Sequence, residues 1–239
     1  MNTEQDGVTG LYKMRTQTTR VWWSSLLWVP AAVVLGFAVP AVFAGLLRLP
    51  RIVYLIPYVV LIGSLLYSCL RWSNGDVGKS VRFHWLWGVG GAIIAGFFGS
   101  RTVLMQPSSP SPRGLELLFD LFWLGLVYGA TDALFLSVLP LSVTWKAFSA
   151  LGWTNRWTGR FATGALALAA SLVMIAVYHL GYPEFRGPQV LLVVAGVGIQ
   201  SLITLLTGSP IPVVLGHTAM HVTAVLYGLD SVIQLPPHY

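Results

Sequence analysis

The chain has 239 residues, of which 55% are hydrophobic and only 9% are charged. A soluble domain carries about 25% charged residues because its surface faces water, so this composition excludes an ordinary soluble domain. The net charge of +6 does not indicate a nucleic-acid partner, because the basic residues are scattered singly over predicted loops. The single cysteine, Cys69, excludes an internal disulfide.

Successive apolar stretches predict an all-α fold, a polytopic transmembrane helical bundle of about seven spans, since a helix needs roughly 20 apolar residues to cross the hydrocarbon core. Residues 1–19 are predicted to form a mobile, polar cytoplasmic tail. Residues 20–112 hold the N-terminal helices, and residues 113–239 hold the C-terminal core. The predicted spans cover residues 21–47, 52–70, 85–105, 115–139, 164–180, 190–206 and 212–235.

Two of these spans carry further local signals. Small residues recur every four positions in the third span, which predicts a face that another helix approaches closely: Gly88, Ala92, Gly96 and Ser100. In the fourth span, Pro140 predicts either the end of the helix or a kink, after which helical structure continues to about Ala150.

Basic residues predict the orientation of the chain in the membrane. With the N-terminus inside, nine of them fall on the cytoplasmic side: Lys13, Arg15, Arg20, Arg71, Lys79, Arg82, Lys146, Arg156 and Arg160. The other side then holds five: Arg48, Arg51, Arg101, Arg113 and Arg186. This excess favours a cytoplasmic N-terminus in a multi-pass protein of the cell membrane, and we expect a bacterial inner membrane.

Polar and ionisable side chains inside apolar spans are costly, at roughly 2.5–3.5 kcal/mol for an aspartate at a helix centre, so each needs a reason. They lie in the second half of the chain or at its edge: Glu116, Asp120, Thr131, Asp132, His179, His217 and His221. The first three spans carry no acid or histidine within their apolar runs, so they predict no functional residue.

The strongest of these signals is the pair His217 and His221, which share one helix face because they are four residues apart. Neutral imidazoles bind divalent transition metals such as zinc, and a carboxylate from another helix would add a third ligand. The alternative interpretation is that each histidine makes a hydrogen bond between helices and holds no metal.

The other candidates are each open to two interpretations. Asp132 lies deep in the fourth span, and it is either functional or bonded to a Trp, a Tyr or a backbone amide. His179 ends the fifth span and by itself is typical of an interfacial histidine. Glu116 and Asp120 are expected to face the headgroup region at the start of the fourth span, with Asp120 a secondary candidate.

The order of these residues resembles the CPBP family of intramembrane metalloproteases, which includes CAAX proteases and bacteriocin-processing enzymes. That family shows EExxxR in an apolar helix, then FxxxH ending a later helix, and finally HxxxN or HxxxD. Residues 131–136 (TDALFL), 175–179 (IAVYH) and 217–221 (HTAMH) stand where these motifs fall. The resemblance covers about residues 115–230, and TGSPIPVVLGHTAMH is its strongest segment.

In that family the first glutamate is thought to activate the attacking water, which the histidines and the final Asn or Asp orient. The resemblance therefore implies catalytic roles for Thr131, Asp132, His179, His217 and His221, and metal ligation by the last four of these. Thr131 stands in place of the glutamate, and its hydroxyl is too weakly acidic to act as a general base. Asp132 can replace it only if the helix is rotated by about 100°.

We therefore expect an intramembrane metalloendopeptidase of the CPBP type, or a degenerate relative that keeps the scaffold, with membrane lipid and a peptide or membrane protein as partners. The alternatives are a transporter or channel component that uses buried Asp and His, and a non-catalytic membrane scaffold. A shared site requires the side chains of Asp132, His179, His217 and His221 to lie within about 10 Å of one another, since metal ligands lie about 2 Å from the ion.

Overall fold

The computed structural model describes residues 3–73, 81–82 and 84–235. In this part of the chain the long helices are α1 (Thr3–Val39), α2 (Arg51–Ser73), α3 (Trp85–Leu104), α4 (Leu115–Ala150), α5 (Trp157–Leu180), α6 (Gln189–Thr207) and α7 (Ile211–Gly228). α1 runs on into a π-helical segment, Pro40–Leu46. The expected all-α bundle is confirmed.

Six helical stretches within the described ranges are long and apolar enough to cross a membrane: Val21–Leu46, Arg51–Ser73, Leu115–Ala150, Trp157–Leu180, Gln189–Thr207 and Ile211–Gly228. The chain is therefore an integral, multi-pass membrane protein. α3, which has 20 residues and contains Arg101 and several glycines, is not among these six. It belongs to the same bundle, since it packs along most of α7.

Most helix ends lie close to those predicted from the sequence, and three differ. α5 begins at Trp157, well before the predicted residue 164. α7 ends at Gly228 instead of residue 235, because the chain turns there and the Ser231 backbone N–H donates to the Gly228 carbonyl. α1 begins at Thr3, so the backbone of the predicted polar tail continues the first helix, while its cytoplasmic location stays a prediction.

The fourth helix does not end at Pro140 but continues to Ala150. A π-helical segment, Leu134–Val138, ends just before the proline. Pro140 therefore lies in the first turn of the next α-helical segment, where the missing N–H of a proline is tolerated. α4 is the most buried of the membrane-spanning helices, so it forms the centre of the bundle.

α4 contains a second π-helical segment, Leu121–Tyr128, and the α-helical segment Gly129–Ala133 lies between the two. A π turn holds one residue more than an α turn, so it rotates the residues that follow by about 100° relative to a regular helix. Asp132 lies in that intervening segment, directly after the first π segment. The backbone of α4 therefore contains the kind of register shift that an inward-facing Asp132 requires.

The small residues of α3 face α7, as their four-residue spacing predicts. A Cβ added at Gly88 would lie 3.0 Å from Ile211 Cβ, and one at Gly96 would lie 3.6 Å from Ala219 Cβ. Near the other end of this contact, the hydroxyls of Ser100 and Thr223 form a 2.8 Å hydrogen bond. The predicted packing face is confirmed, and it fixes the position of α7 in the bundle.

We expect Gly216→Ala to lower the free energy of unfolding by about 1–3 kcal/mol, the usual cost of overpacking a tight core. The added Cβ would lie 2.6 Å from Ala95 Cβ and 3.1 Å from the Gly96 backbone nitrogen. Gly196→Ala on α6 is the matched control, because nothing lies within 4 Å of its Cβ position. Unfolding in mixed detergent micelles measures both variants, and equal effects would contradict close packing at Gly216.

Candidate functional site

Three of the predicted residues meet in the middle of the bundle. Asp132 of α4 and His217 and His221 of α7 are each only 2% exposed. One ligand atom from each of these three residues lies within 4.8 Å of the other two, so three of the four residues expected to share a site do so. We call these three residues the Asp–His–His centre.

The close approach of α4 to α7 depends on a glycine one turn before Asp132. A Cβ at Gly129 would lie 3.0 Å from Thr218 Cα and 3.2 Å from His221 Cδ2. A larger residue at position 129 would therefore push the two helices apart. The backbone contact brings the Asp132 carboxylate within hydrogen-bonding distance of the α7 histidines.

Both carboxylate oxygens of Asp132 have a partner. The Tyr58 hydroxyl of α2 donates to Oδ1 at 2.7 Å, and His217 Nε2 lies 2.9 Å from Oδ2. A buried carboxylate is tolerated only when it is paired in this way, since an isolated buried charge is very costly. Asp132 is therefore bonded to two other helices and has a defined orientation.

His217 lies between two oxygens. Its Nε2 faces Asp132, and its Nδ1 lies 3.3 Å from Gln200 Oε1 on α6. A neutral imidazole has one N–H, so it can donate to only one of the two oxygens. A second proton, or a metal ion held at Nε2 while Nδ1–H donates to Gln200, would satisfy both contacts. The second arrangement is the usual one for histidines that bind metals.

His221 is the unusual member of the centre. Neither of its ring nitrogens has a hydrogen-bond partner among the residues that the structure describes, although both are buried. The Thr218 hydroxyl is also buried without a partner. The edge of the Tyr128 ring packs against the imidazole, with the centroids 4.9 Å apart. Unpaired buried polar atoms are rare in proteins, so the His221 ring fits a site that binds a metal ion or a water molecule.

The donor set suits a divalent transition metal such as zinc, which binds imidazole nitrogen and carboxylate oxygen at about 2.0–2.2 Å. Two ligands of one ion lie at most about 4 Å apart at these bond lengths. The separations of up to 4.8 Å within the Asp–His–His centre would therefore close with side-chain shifts of about 1 Å. Asp132, His217 and His221 therefore fit the divalent metal that the spacing of the two histidines predicts.

The other predicted residues lie outside this centre. His179 is buried, but its Nδ1–H donates to the Ile175 carbonyl at 2.8 Å and its ring packs on Phe185. Thr131 is half-buried on α4. Neither belongs to the three-residue group, so their catalytic and ligand roles stay predictions. Asp120 is only 3% exposed, so its side chain is buried in the protein, and its expected location near the lipid headgroups stays a prediction.

The sequence analysis missed a cluster of five tyrosines beside the centre: Tyr54, Tyr58, Tyr128, Tyr178 and Tyr182, all buried. Four of their hydroxyls form a chain in which Tyr128 contacts Tyr178 at 3.0 Å, Tyr178 contacts Tyr182 at 2.8 Å, and Tyr182 contacts Tyr54 at 2.5 Å. Burial raises the pKa of Tyr182, which lies beyond the end of α5, so this hydroxyl keeps its proton.

The sequence of the first three spans gave no candidate site residue, whereas in the structure Tyr58 of α2 bonds Asp132 directly. A signal was present in the sequence. Tyr54 and Tyr58 are four residues apart, and so are Tyr178 and Tyr182. This spacing places each pair of polar hydroxyls on one face of an apolar span.

Comparison with known proteins found no family model, no curated protein and no solved structure that matches the chain. The fold and the site alone therefore define its class. It is a helical integral membrane protein with a buried Asp–His–His centre that could bind a metal ion.

Proposed function

We propose that the chain is an intramembrane metalloendopeptidase of the CPBP type, which hydrolyses a peptide bond at the Asp–His–His centre. The observation that carries the proposal is the unpartnered His221 ring beside the bonded pair of Asp132 and His217. A metal ion or a water molecule bound beside these residues would give the His221 ring a partner. The resemblance of residues 115–230 to the CPBP motifs supports the same chemistry.

The chemistry follows from the contacts of each residue. His217 and His221 would be the nitrogen ligands of a divalent metal, which when bound would polarise the attacking water and the peptide carbonyl. Asp132 takes the proton as the water oxygen bonds to the carbonyl carbon, and the proton then passes to the leaving amine as the C–N bond breaks. Tyr58 and Gln200 orient Asp132 and His217, respectively, through their hydrogen bonds.

The burial of the centre sets where the reaction takes place. All three residues lie within membrane-spanning helices, so the substrate is a peptide or membrane protein that enters the bundle from the lipid or from one membrane face. The Lys and Arg distribution supports a cytoplasmic N-terminus, and the single cysteine fits the bacterial inner membrane that we propose as the location.

The test uses the full-length protein purified in detergent and dye-quenched casein as the probe. We expect hydrolysis that is lost after treatment with a chelator, restored by zinc, and reduced at least 1,000-fold in His217→Ala, about the scale of losing a catalytic group. Zinc content per molecule, measured by atomic emission, should fall in His221→Ala. Hydrolysis that is unchanged in His217→Ala would contradict the proposal.

A second candidate function is a proton-coupled transporter, which the tyrosine cluster favours. Its chain of four hydroxyls and the Tyr58–Asp132 bond together resemble the relays of polar groups found in transport proteins. The test is proton flux into vesicles that contain the purified protein. Flux that disappears in Tyr178→Phe, together with absence of hydrolysis, would favour transport over proteolysis.

A further inference from the structure

The turn that joins α4 to α5 combines cationic and aromatic side chains. Residues 153–161 have the sequence WTNRWTGRF, with two arginines, three aromatic rings and no acidic residue. They cover most of the short connection after α4 and the first turn of α5, which begins at Trp157. The Asp–His–His centre uses none of them. We call residues 153–161 the α4–α5 turn.

Contacts within this part of the chain give the α4–α5 turn a defined shape. Gly152, just before it, has φ = +76°, a left-handed conformation that glycine adopts without strain. The Nε–H of Arg160 donates to the Thr154 carbonyl at 2.8 Å. The Trp153 ring packs on Phe148 of α4, with the ring centroids 4.8 Å apart. Arg160 and Trp153 are therefore positioned by contacts with the chain itself.

The other side of these residues is open to the surroundings. Trp157 is 79% exposed, Phe161 75% and Trp153 45%, and both Arg156 and Arg160 are exposed. The two arginines are four residues apart, and so are Trp157 and Phe161, so a cationic row and an aromatic row lie side by side at the start of α5. Within the part of the chain that the structure describes, the Arg160 side chain makes one hydrogen bond, through Nε, so its two NH₂ groups are available to a ligand.

The position of the turn in the membrane indicates what such a surface contacts. α5 is one of the membrane-spanning helices, so its first turn lies where the hydrocarbon core meets the lipid headgroups. Exposed aromatic rings at that level contact lipid, and guanidinium groups bind phosphate oxygens through paired N–H groups. An anionic headgroup matches two arginines better than a zwitterionic one, whose ammonium group they repel. The sequence between Asp132 and Glu184 contains no acidic residue, so these stretches of α4 and α5 add no negative charge.

We propose that the α4–α5 turn is a binding site for the headgroup of an anionic phospholipid. Arg156 and Arg160 hold the phosphate group, while the rings of Trp157 and Phe161 lie along the acyl chains. Because all four side chains are exposed, a lipid reaches them from the bilayer without any opening of the bundle. Binding at this site does not depend on the reaction at the Asp–His–His centre.

The experiment measures lipid binding to the full-length protein purified in detergent. Phosphatidylglycerol and phosphatidylcholine with the same acyl chains are added in equal amounts, and the bound lipids are counted by native mass spectrometry. We expect at least about fivefold more bound phosphatidylglycerol, which is the effect of about one arginine beside an anionic headgroup. The double variant Arg156→Gln/Arg160→Gln should lose most of this preference.

A second double variant, Arg101→Gln/Arg186→Gln, is the matched control. It removes the same number of charges from exposed positions outside the α4–α5 turn. Arg186 also resembles Arg160 in its local bonding, because its Nε–H donates to the Leu180 carbonyl, six residues earlier, at 3.3 Å. We expect the control to keep the preference of the wild type for phosphatidylglycerol.

Photo-cross-linking of the wild type shows where the lipid binds. The probe is phosphatidylglycerol with a diazirine at the headgroup end of one acyl chain, and we expect the strongest cross-links, mapped by mass spectrometry, in residues 153–161. Cross-links concentrated elsewhere, or equal binding of the two lipids, would overturn the proposal without any variant. An equal loss of preference in both double variants would also overturn it, because the effect would then follow from net charge alone.

Discussion

Replacing His217 with leucine should lower the free energy of unfolding by about 3–5 kcal/mol and abolish hydrolysis. The change leaves the buried Asp132 carboxylate with the Tyr58 hydroxyl as its remaining hydrogen-bond partner among the described residues. A buried charge that loses its partner is far less stable than one that was never present. Unfolding in mixed detergent micelles measures the effect on stability.

The double variant Asp132→Leu/His217→Leu separates stability from function. Because it removes both members of the buried pair, we expect most of the lost stability to return while the protein stays inactive. Ser100→Ala, which removes a neutral hydrogen bond between α3 and α7, should cost only about 0.6 kcal/mol. A double variant as unstable as His217→Leu would show that the Asp132–His217 contact is not the source of the effect.

Replacing His221, which lies one turn after His217 on α7, with leucine should not lower the free energy of unfolding as His217→Leu does. His221→Leu removes a ring whose two nitrogens are buried without partners, and each such group costs about 1–3 kcal/mol. We therefore expect His221→Leu to be as stable as the wild type or more stable by about 1–3 kcal/mol, and to lose hydrolysis. A stabilising change that removes activity is typical of functional sites.

Metal dependence provides the second measurement on His221. Zinc at 100 times its dissociation constant should stabilise the wild type by about 2.7 kcal/mol. His221→Leu should show little of this increase. Loss of stability comparable to that of His217→Leu would mean that His221 makes bonds of its own, and an unchanged response to zinc would exclude it as a ligand.

Part of the site was predictable because it depends on one helix. His217 and His221 share a face through their spacing alone, and the four-residue repeat of small residues on α3 predicted the helix contact that positions them. Asp132 was expected to replace the family's glutamate only if α4 is rotated by about 100°, and the π-helical segment Leu121–Tyr128, which produces a shift of that kind, was not indicated by any residue pattern.

The rest of the site depends on contacts between helices that are distant in sequence. Tyr58 is 74 positions from Asp132, and a tyrosine in an apolar span does not stand out as an aspartate or a histidine does. Gln200 was missed for the same reason. That His221 lacks a partner while His217 has two is a property of the packed bundle, since both lie in the same local sequence.

The two π-helical segments of α4 have a consequence for comparing this helix with others. An insertion of one residue into a helix is absorbed as a wider turn, so equal numbers of residues no longer mean equal directions around the axis. When residues are simply counted along the motif, Thr131 takes the position of the family's glutamate. In the structure it is the next residue, Asp132, that bonds to His217 of α7. Deleting one residue within Leu121–Tyr128 would keep the helix but rotate the part after the deletion by about 100° relative to the part before it. The Asp132 carboxylate would then no longer face the histidines of α7.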